Sequence, residues 1–142
     1  MIKKLNCILL VDDNESDNYI HKRIIQIAGI ADHIEIAEHG QEAIDLLNAN
    51  KCEKPDCSVS HPDLIFLDIN MPVMNGWEFL EEYRQFADFQ KGEVVIKMLT
   101  TSLNPSDITK TQQVLGDDCL LFKPLTLEII NAIMQKHFPG YL

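Results

Sequence analysis

The chain has 142 residues, and 12 lysines and arginines against 22 aspartates and glutamates give it a formal charge of −10. Its 46% hydrophobic content, with only six glycines and six prolines, predicts one folded domain over residues 1–142 and excludes disordered, collagen-like and disulfide-scaffold chains. The acidic balance argues against nucleic acid as a partner, because binding to a phosphate backbone requires clustered lysine and arginine.

The amino terminus begins with a short apolar run, residues 5–11, which Asp12 and Asp13 close. A signal peptide needs a longer apolar stretch, and a membrane span needs roughly 18 apolar residues. Cys7 and Cys119 lie inside apolar runs, where a free thiol behaves as a small hydrophobic group. We therefore expect a cytoplasmic protein without a membrane partner.

Four short apolar runs scarcely alternate with polar residues: 7–11, 64–67, 94–99 and 119–122. Such runs are typical of parallel strands that are buried on both faces. A further run, residues 33–37, alternates and suits an edge strand.

Helical patterns lie between these runs. In the first, Ile20, Ile24, Ile27 and Ala28 form an apolar stripe that predicts the buried face, and Gly29 predicts the end of the helix. The later patterns begin near residues 41, 77, 105 and 127. Repeated strand–helix alternation predicts an α/β domain with a doubly wound, five-stranded parallel sheet and helices on both faces. Residues 50–62 are predicted to form a polar loop, and 138–142 a short tail.

Polar residues directly follow the buried runs. Asp12 and Asp13 follow the first, Asp68 the second, Thr100 the third and Lys123 the last. In open parallel sheets, ligands bind outside the carboxyl ends of the strands, where the strand order reverses. With the order 2-1-3-4-5, three carboxylates, a hydroxyl and a lysine converge on one edge of the sheet.

This set of side chains suits phosphoryl transfer. Carboxylates that lie close together raise one another's pKa unless a cation intervenes, and oxygen ligands suit Mg²⁺. Lys123 supplies a point charge for a phosphoryl group. In such chemistry the protein contributes mainly position and charge neutralisation, so we expect phosphoryl transfer onto Asp68.

Residues 9–14, 64–76, 98–102 and 122–124 resemble the motifs of the receiver domain of two-component response regulators, in the same order and across essentially the whole chain. The resemblance implies a flavodoxin-like fold and a stand-alone receiver. It implies a sensor histidine kinase or histidine phosphotransfer protein as the phosphoryl donor, and an unknown downstream protein as the target. It also implies no enzymatic activity beyond the protein's own phosphorylation and dephosphorylation.

The resemblance implies a role for each matching residue. Asp68 would be the phosphoacceptor and a Mg²⁺ ligand. Asp13 would bind Mg²⁺ directly, Asp12 largely through water, and Asn70 through its backbone carbonyl. Lys123 would pair with Asp68 and then with the phosphoryl oxygens.

Thr100 matches the switch hydroxyl that moves to the phosphoryl group, although the hydroxyl of Thr101 could also reach it. The Lys123–Pro124 bond would be cis, which is physically accessible before proline. The switch aromatic of the family falls on Leu120, so the signal would rest on the loop and helix after Thr100. The expected readout surface combines that helix with the last strand and the last helix.

Two other functions remain open. A haloacid-dehalogenase-like phosphatase also forms an aspartyl phosphate with Mg²⁺, but it carries Asp-x-Asp after its first strand. Here Asn14 stands two positions after Asp12, and Glu15 two positions after Asp13. The other alternative is a pseudo-receiver that only docks partners.

The remaining candidate ligands form no clear set. Cys52, Cys57 and His61 could contribute to a zinc site, but no fourth ligand is evident, and a flexible loop is the simpler interpretation. We expect the other histidines to lie at the surface; they are His21, His33, His39 and His137.

Overall fold

The computed structural model describes residues 4–48, 61–92, 94–101, 104–116 and 119–141. Five parallel strands form one sheet in the order β2-β1-β3-β4-β5. The strands are β1 Leu5–Val11, β2 Ala31–Ala37, β3 Leu64–Asp68, β4 Val95–Thr100 and β5 Leu120–Phe122. The predicted flavodoxin-like topology is therefore confirmed.

Helices cover both faces of the sheet. They are α1 Glu15–Ala28, α2 Gly40–Leu47, α3 Gly76–Tyr83, α4 Ala87–Gln90, α5 Pro105–Leu115 and α6 Leu127–His137. Helices α1 and α6 pack together on one face, and α2 and α3 on the other. The four-residue α4 is not anticipated by the sequence pattern. None of the helices in the described part of the chain has the length and apolar character that a membrane crossing requires.

Alternate residues of the central strands supply two separate cores. In β1, Leu9 and Val11 belong to the core beneath α2 and α3, whereas Ile8 and Leu10 belong to the core beneath α1 and α6. Because both faces of the strand are buried, its apolar run does not alternate with polar residues.

The predicted inward face of α1 is wrong at Ile20 and Ile27, whereas Ile24 and Ala28 pack, partly buried, against the core beneath α1 and α6. Ile20 is 46% exposed and Ile27 is 58% exposed, whereas Asn18, His21 and Ile25 are buried. The predicted surface position of His21 is wrong for the same reason. Periodicity assigns the apolar side chains to the inside, but this helix passes beneath a polar site, and the Asn18 side-chain amide donates to the Asp12 carbonyl oxygen at 2.8 Å.

The predicted starts of the helices agree better with the structure than the predicted face of α1 does. Asn14 caps α1, Asn75 forms a capping box with Glu78, and Thr126 caps α6. These side chains satisfy backbone N–H groups that have no partner within the helix. Most of the predicted polar loop, with Cys52 and Cys57, lies outside the described residues, so the zinc alternative stays a prediction.

Candidate functional site

Three carboxylates meet at the carboxyl edge of the sheet. Asp12 and Asp13 follow β1, and Asp68 ends the neighbouring strand β3. One carboxylate oxygen from each lies within 4.8 Å of the others; Asp12 and Asp68 are buried and Asp13 is exposed. The structure thus brings together the three acids that the sequence analysis placed at one edge.

The turn after β3 holds Asp68 through close backbone packing. The Gly76 N–H, at the start of α3, donates to the Ile69 carbonyl oxygen at 2.8 Å. A Cβ atom on Gly76 would lie 2.6 Å from the Asp68 carbonyl oxygen. Only glycine therefore lets α3 begin this close to the end of the strand, which fixes the position of the Asp68 backbone.

The carboxyl group of Asp68 binds its proton unusually tightly. Burial, followed by the negative charge of Asp12, raises the pKa of Asp68 to about 7; the opposing effects of Lys123 and of the Asn70 backbone N–H are weaker. Positive charge from the protein therefore balances only part of the negative charge of this cluster. A set of oxygen ligands with unbalanced negative charge fits a hard divalent cation.

Lys123 follows β5 and turns its ammonium into the site, with 9% of its side chain exposed. Nζ donates to Asp12 Oδ2 at 2.6 Å and to Asp17 Oδ2 at 2.9 Å, and it lies 3.8 Å from Asp68 Oδ1. Burial opposes the charge on Lys123, but the hydrogen bonds to Asp12 and Asp17, together with the negative charges of Asp68 and Asp12, raise its pKa above the ordinary value. The lysine stays charged, and its hydrogen bonds go to Asp17 on α1 and to Asp12 after β1 rather than to Asp68. The Lys123–Pro124 peptide bond is cis, as predicted.

Sequence reasoning missed three polar residues beside the site: Asp17, Asn18 and His21, all on α1. Asp17 binds the lysine, Asn18 binds the Asp12 backbone, and burial together with the charge of Lys123 lowers the pKa of His21. The signal that could have identified them is their spacing. Residues 17, 18 and 21 lie on one side of a helix that begins directly after the acidic pair.

The other candidate residues differ in how deeply they are buried. Thr100, at the end of β4, is 1% exposed, and its carbonyl oxygen accepts a hydrogen bond from the Lys123 N–H at 2.9 Å. Thr101 and Asn70 are exposed. Leu120 packs, partly buried, against the core beneath α2 and α3.

Comparisons with known proteins identify the family to which the chain is similar. The model of a family described as the response regulator receiver domain matches residues 8–135. Response regulator Rcp1 of Synechocystis sp. is 30% identical over 90% of this chain and 83% of its own length. Chemotaxis protein CheY1 of Helicobacter pylori is 31% identical over 90% of this chain and 93% of its own.

Solved structures give the same result. A two-component response regulator from Cytophaga hutchinsonii superposes with a TM-score of 0.77 and 29% identity, covering 94% of this chain and 97% of that one. The Mn²⁺-bound form of Rcp1 superposes with a TM-score of 0.68 and 27% identity, covering 92% of both chains.

Proposed function

Because the chain belongs to the response regulator receiver domain family, whose members are signalling modules rather than classical enzymes, we propose that Asp68 is the residue that accepts the phosphoryl group. One observation carries this assignment. Asp68 is a buried carboxylate that lies within 4.8 Å of two further carboxylates, and a charged lysine Nζ lies 3.8 Å from its Oδ1. This arrangement combines a nucleophile with a fixed positive charge for the phosphoryl oxygens.

The proposed donor is a phosphohistidine of a sensor histidine kinase or histidine phosphotransfer protein. A carboxylate oxygen of deprotonated Asp68 forms the new P–O bond while the P–N bond of the donor breaks. The leaving imidazole keeps the electron pair of that bond and takes up a proton. Lys123 donates hydrogen bonds to the phosphoryl oxygens, so the protein assists its own phosphorylation.

We further propose that Asp12, Asp13 and Asp68, with the Asn70 carbonyl, hold Mg²⁺. The raised pKa of Asp68 and the all-oxygen donor set support a divalent cation, and a similar chain, Rcp1, has a Mn²⁺-bound form. When bound, such a cation offsets the repulsion between the carboxylates and the charge on the phosphoryl oxygens.

The output of the module is proposed to be a population shift toward a state in which Thr100 binds the phosphoryl group. The surface formed by α5, β5 and α6 is the proposed readout. Each of these elements exposes a large apolar side chain to solvent; they are Val114, Phe122 and Leu127. The comparisons do not favour the phosphatase alternative, because the family match covers residues 8–135.

The acceptor role is tested by incubating the protein with Mg²⁺ and acetyl phosphate. We expect a retarded species on a phosphate-affinity gel that hydroxylamine removes, as it does for an acyl phosphate. Borohydride reduction followed by peptide mapping should place the modification on Asp68. A protein that stays unmodified, or a label on another residue, would overturn the assignment.

The variant Thr100→Ala should still be phosphorylated, but phosphorylation should no longer cause the conformational change. The hydroxyl of this buried residue is the proposed link between the phosphoryl group and the segment that leads into α5. In the wild type, phosphorylation should change amide hydrogen exchange across residues 104–115, and in Thr100→Ala this change should be largely lost.

Thr101→Ala is the matched control, because Thr101 is adjacent but exposed. It should keep both the phosphorylation and the exchange response. A full response in Thr100→Ala, or its loss in Thr101→Ala instead, would contradict the assignment of the switch to Thr100.

A further inference from the structure

We propose that Asp17 is a positioning residue for phosphoryl transfer, which holds the Lys123 ammonium away from Asp68 so that the acceptor carboxylate stays free to react. This inference rests on the proposed function of Asp68. It concerns a residue of α1 that lies outside the cluster of three carboxylates.

The contacts of Lys123 support this role. Nζ hydrogen-bonds Asp17 Oδ2 at 2.9 Å and Asp12 Oδ2 at 2.6 Å, whereas Asp68 Oδ1 lies 3.8 Å away. A charged N–H···O hydrogen bond spans about 2.7–2.9 Å. The lysine is therefore near Asp68 but does not hydrogen-bond to it, so it can donate to an incoming phosphoryl oxygen without first breaking a hydrogen bond to the acceptor.

A lysine that moved onto Asp68 would hinder the reaction. Its ammonium would donate to the oxygen that must attack phosphorus and would lower the nucleophilicity of that oxygen. Lysine has a flexible four-carbon side chain, so the position of its charge depends on the acids around it. Two anchors on the α1 and β1 side keep the ammonium at its present distance.

Of these two anchors, Asp12 is the one whose carboxylate also has other partners. Its Oδ1 accepts from the Asn14 N–H at 2.9 Å, and its Oδ2 accepts from Lys123. It also belongs to the proposed cation site. Once Asp12 serves as a cation ligand, less of its charge remains for Lys123, and Asp17 becomes the main anchor.

Asp17 is itself held in place. Its backbone N–H donates to the Asn14 side-chain oxygen at 3.0 Å, within the cap of α1. Its side chain is 29% exposed, whereas that of Lys123 is 9% exposed. The carboxylate thus extends from a capped helical turn into the site and reaches a lysine that is 106 residues away along the chain.

The test compares initial rates of phosphorylation by acetyl phosphate at saturating Mg²⁺. We expect Asp17→Asn, which keeps the shape but removes the charge, to lower the rate about tenfold. Glu15→Gln is the matched control, because Glu15 is an exposed acid in the same first turn of α1. It removes the same helix-dipole interaction and should keep the wild-type rate.

A double-mutant cycle separates positioning from a merely structural role. In a Lys123→Met background, Asp17→Asn should cause no further loss of rate, because the lysine that it positions is absent. An unchanged rate in the single variant, or the same fold-loss in both backgrounds, would overturn the inference while leaving the role of Asp68 intact. A wild type that takes up no phosphoryl group would overturn both proposals.

Discussion

Replacing Asp68 with asparagine is expected to abolish phosphoryl incorporation and, at the same time, to stabilise the fold. An amide has no carboxylate oxygen with which to attack phosphorus, so acetyl phosphate and Mg²⁺ should produce no hydroxylamine-labile species. The same change removes one of three mutually repelling charges, two of which are buried.

The gain in stability should depend on pH in a defined direction. Burial and the charge of Asp12 raise the pKa of Asp68 to about 7, whereas an unfolded aspartate titrates near about 4. Between these values the folded protein binds the proton and the unfolded chain releases it, so the wild type loses stability as the pH rises. Asp68→Asn lacks this loss.

The measurement is the free energy of unfolding in urea, without divalent cations, at pH 8 and pH 5. At pH 8 the variant should exceed the wild type by more than about 1 kcal/mol, roughly the equivalent of one pKa unit, and the difference should shrink at pH 5. Asp32→Asn serves as a control, because Asp32 is exposed on the edge strand β2. Equal stabilities of Asp68→Asn and the wild type at pH 8 would contradict the electrostatic account of the site.

Replacing Asp13 with asparagine should lower the affinity for Mg²⁺ at least about tenfold, a change of about 1.4 kcal/mol in binding free energy. Asp13 is the exposed member of the carboxylate cluster, so its charge is available to an incoming cation, and its loss should disturb the core little. A cation that binds only the folded state raises the stability as its concentration increases.

The thermal midpoint should therefore rise with MgCl₂ in the wild type, return to its starting value with a chelator, and rise only at much higher concentrations in Asp13→Asn. Glu15→Gln is the control, since Glu15 is an exposed acid two residues further along that lies outside the cluster. If both variants responded to MgCl₂ like the wild type, the cation would bind elsewhere.

The central strands β1, β3 and β4 were predictable because their apolar runs are short and are followed by polar residues. Leu64–Asp68 shows this well: four apolar residues are followed by the proposed acceptor, and all five are buried. The prediction that residues 119–122 are buried on both faces is wrong, because β5 lies at the edge of the sheet and Phe122 is 43% exposed.

The inner face of α1 was only partly predictable by the same reasoning, since Ile24 and Ala28 pack against the core as expected. Asn18 and His21 are buried in place of Ile20 and Ile27, because the helix packs beside a polar site whose position depends on several strands.

The amino-acid sequence by itself determined which side chains stand at the ends of the strands, since parallel strands with buried faces place their carboxyl ends at one edge. Only the tertiary structure decided how these groups pair. Lys123 hydrogen-bonds to Asp12 and Asp17 rather than to Asp68, and its distances to these three carboxylates differ by only about an ångström. Hydrogen bonds depend steeply on such distances, and no local pattern in the sequence encodes them.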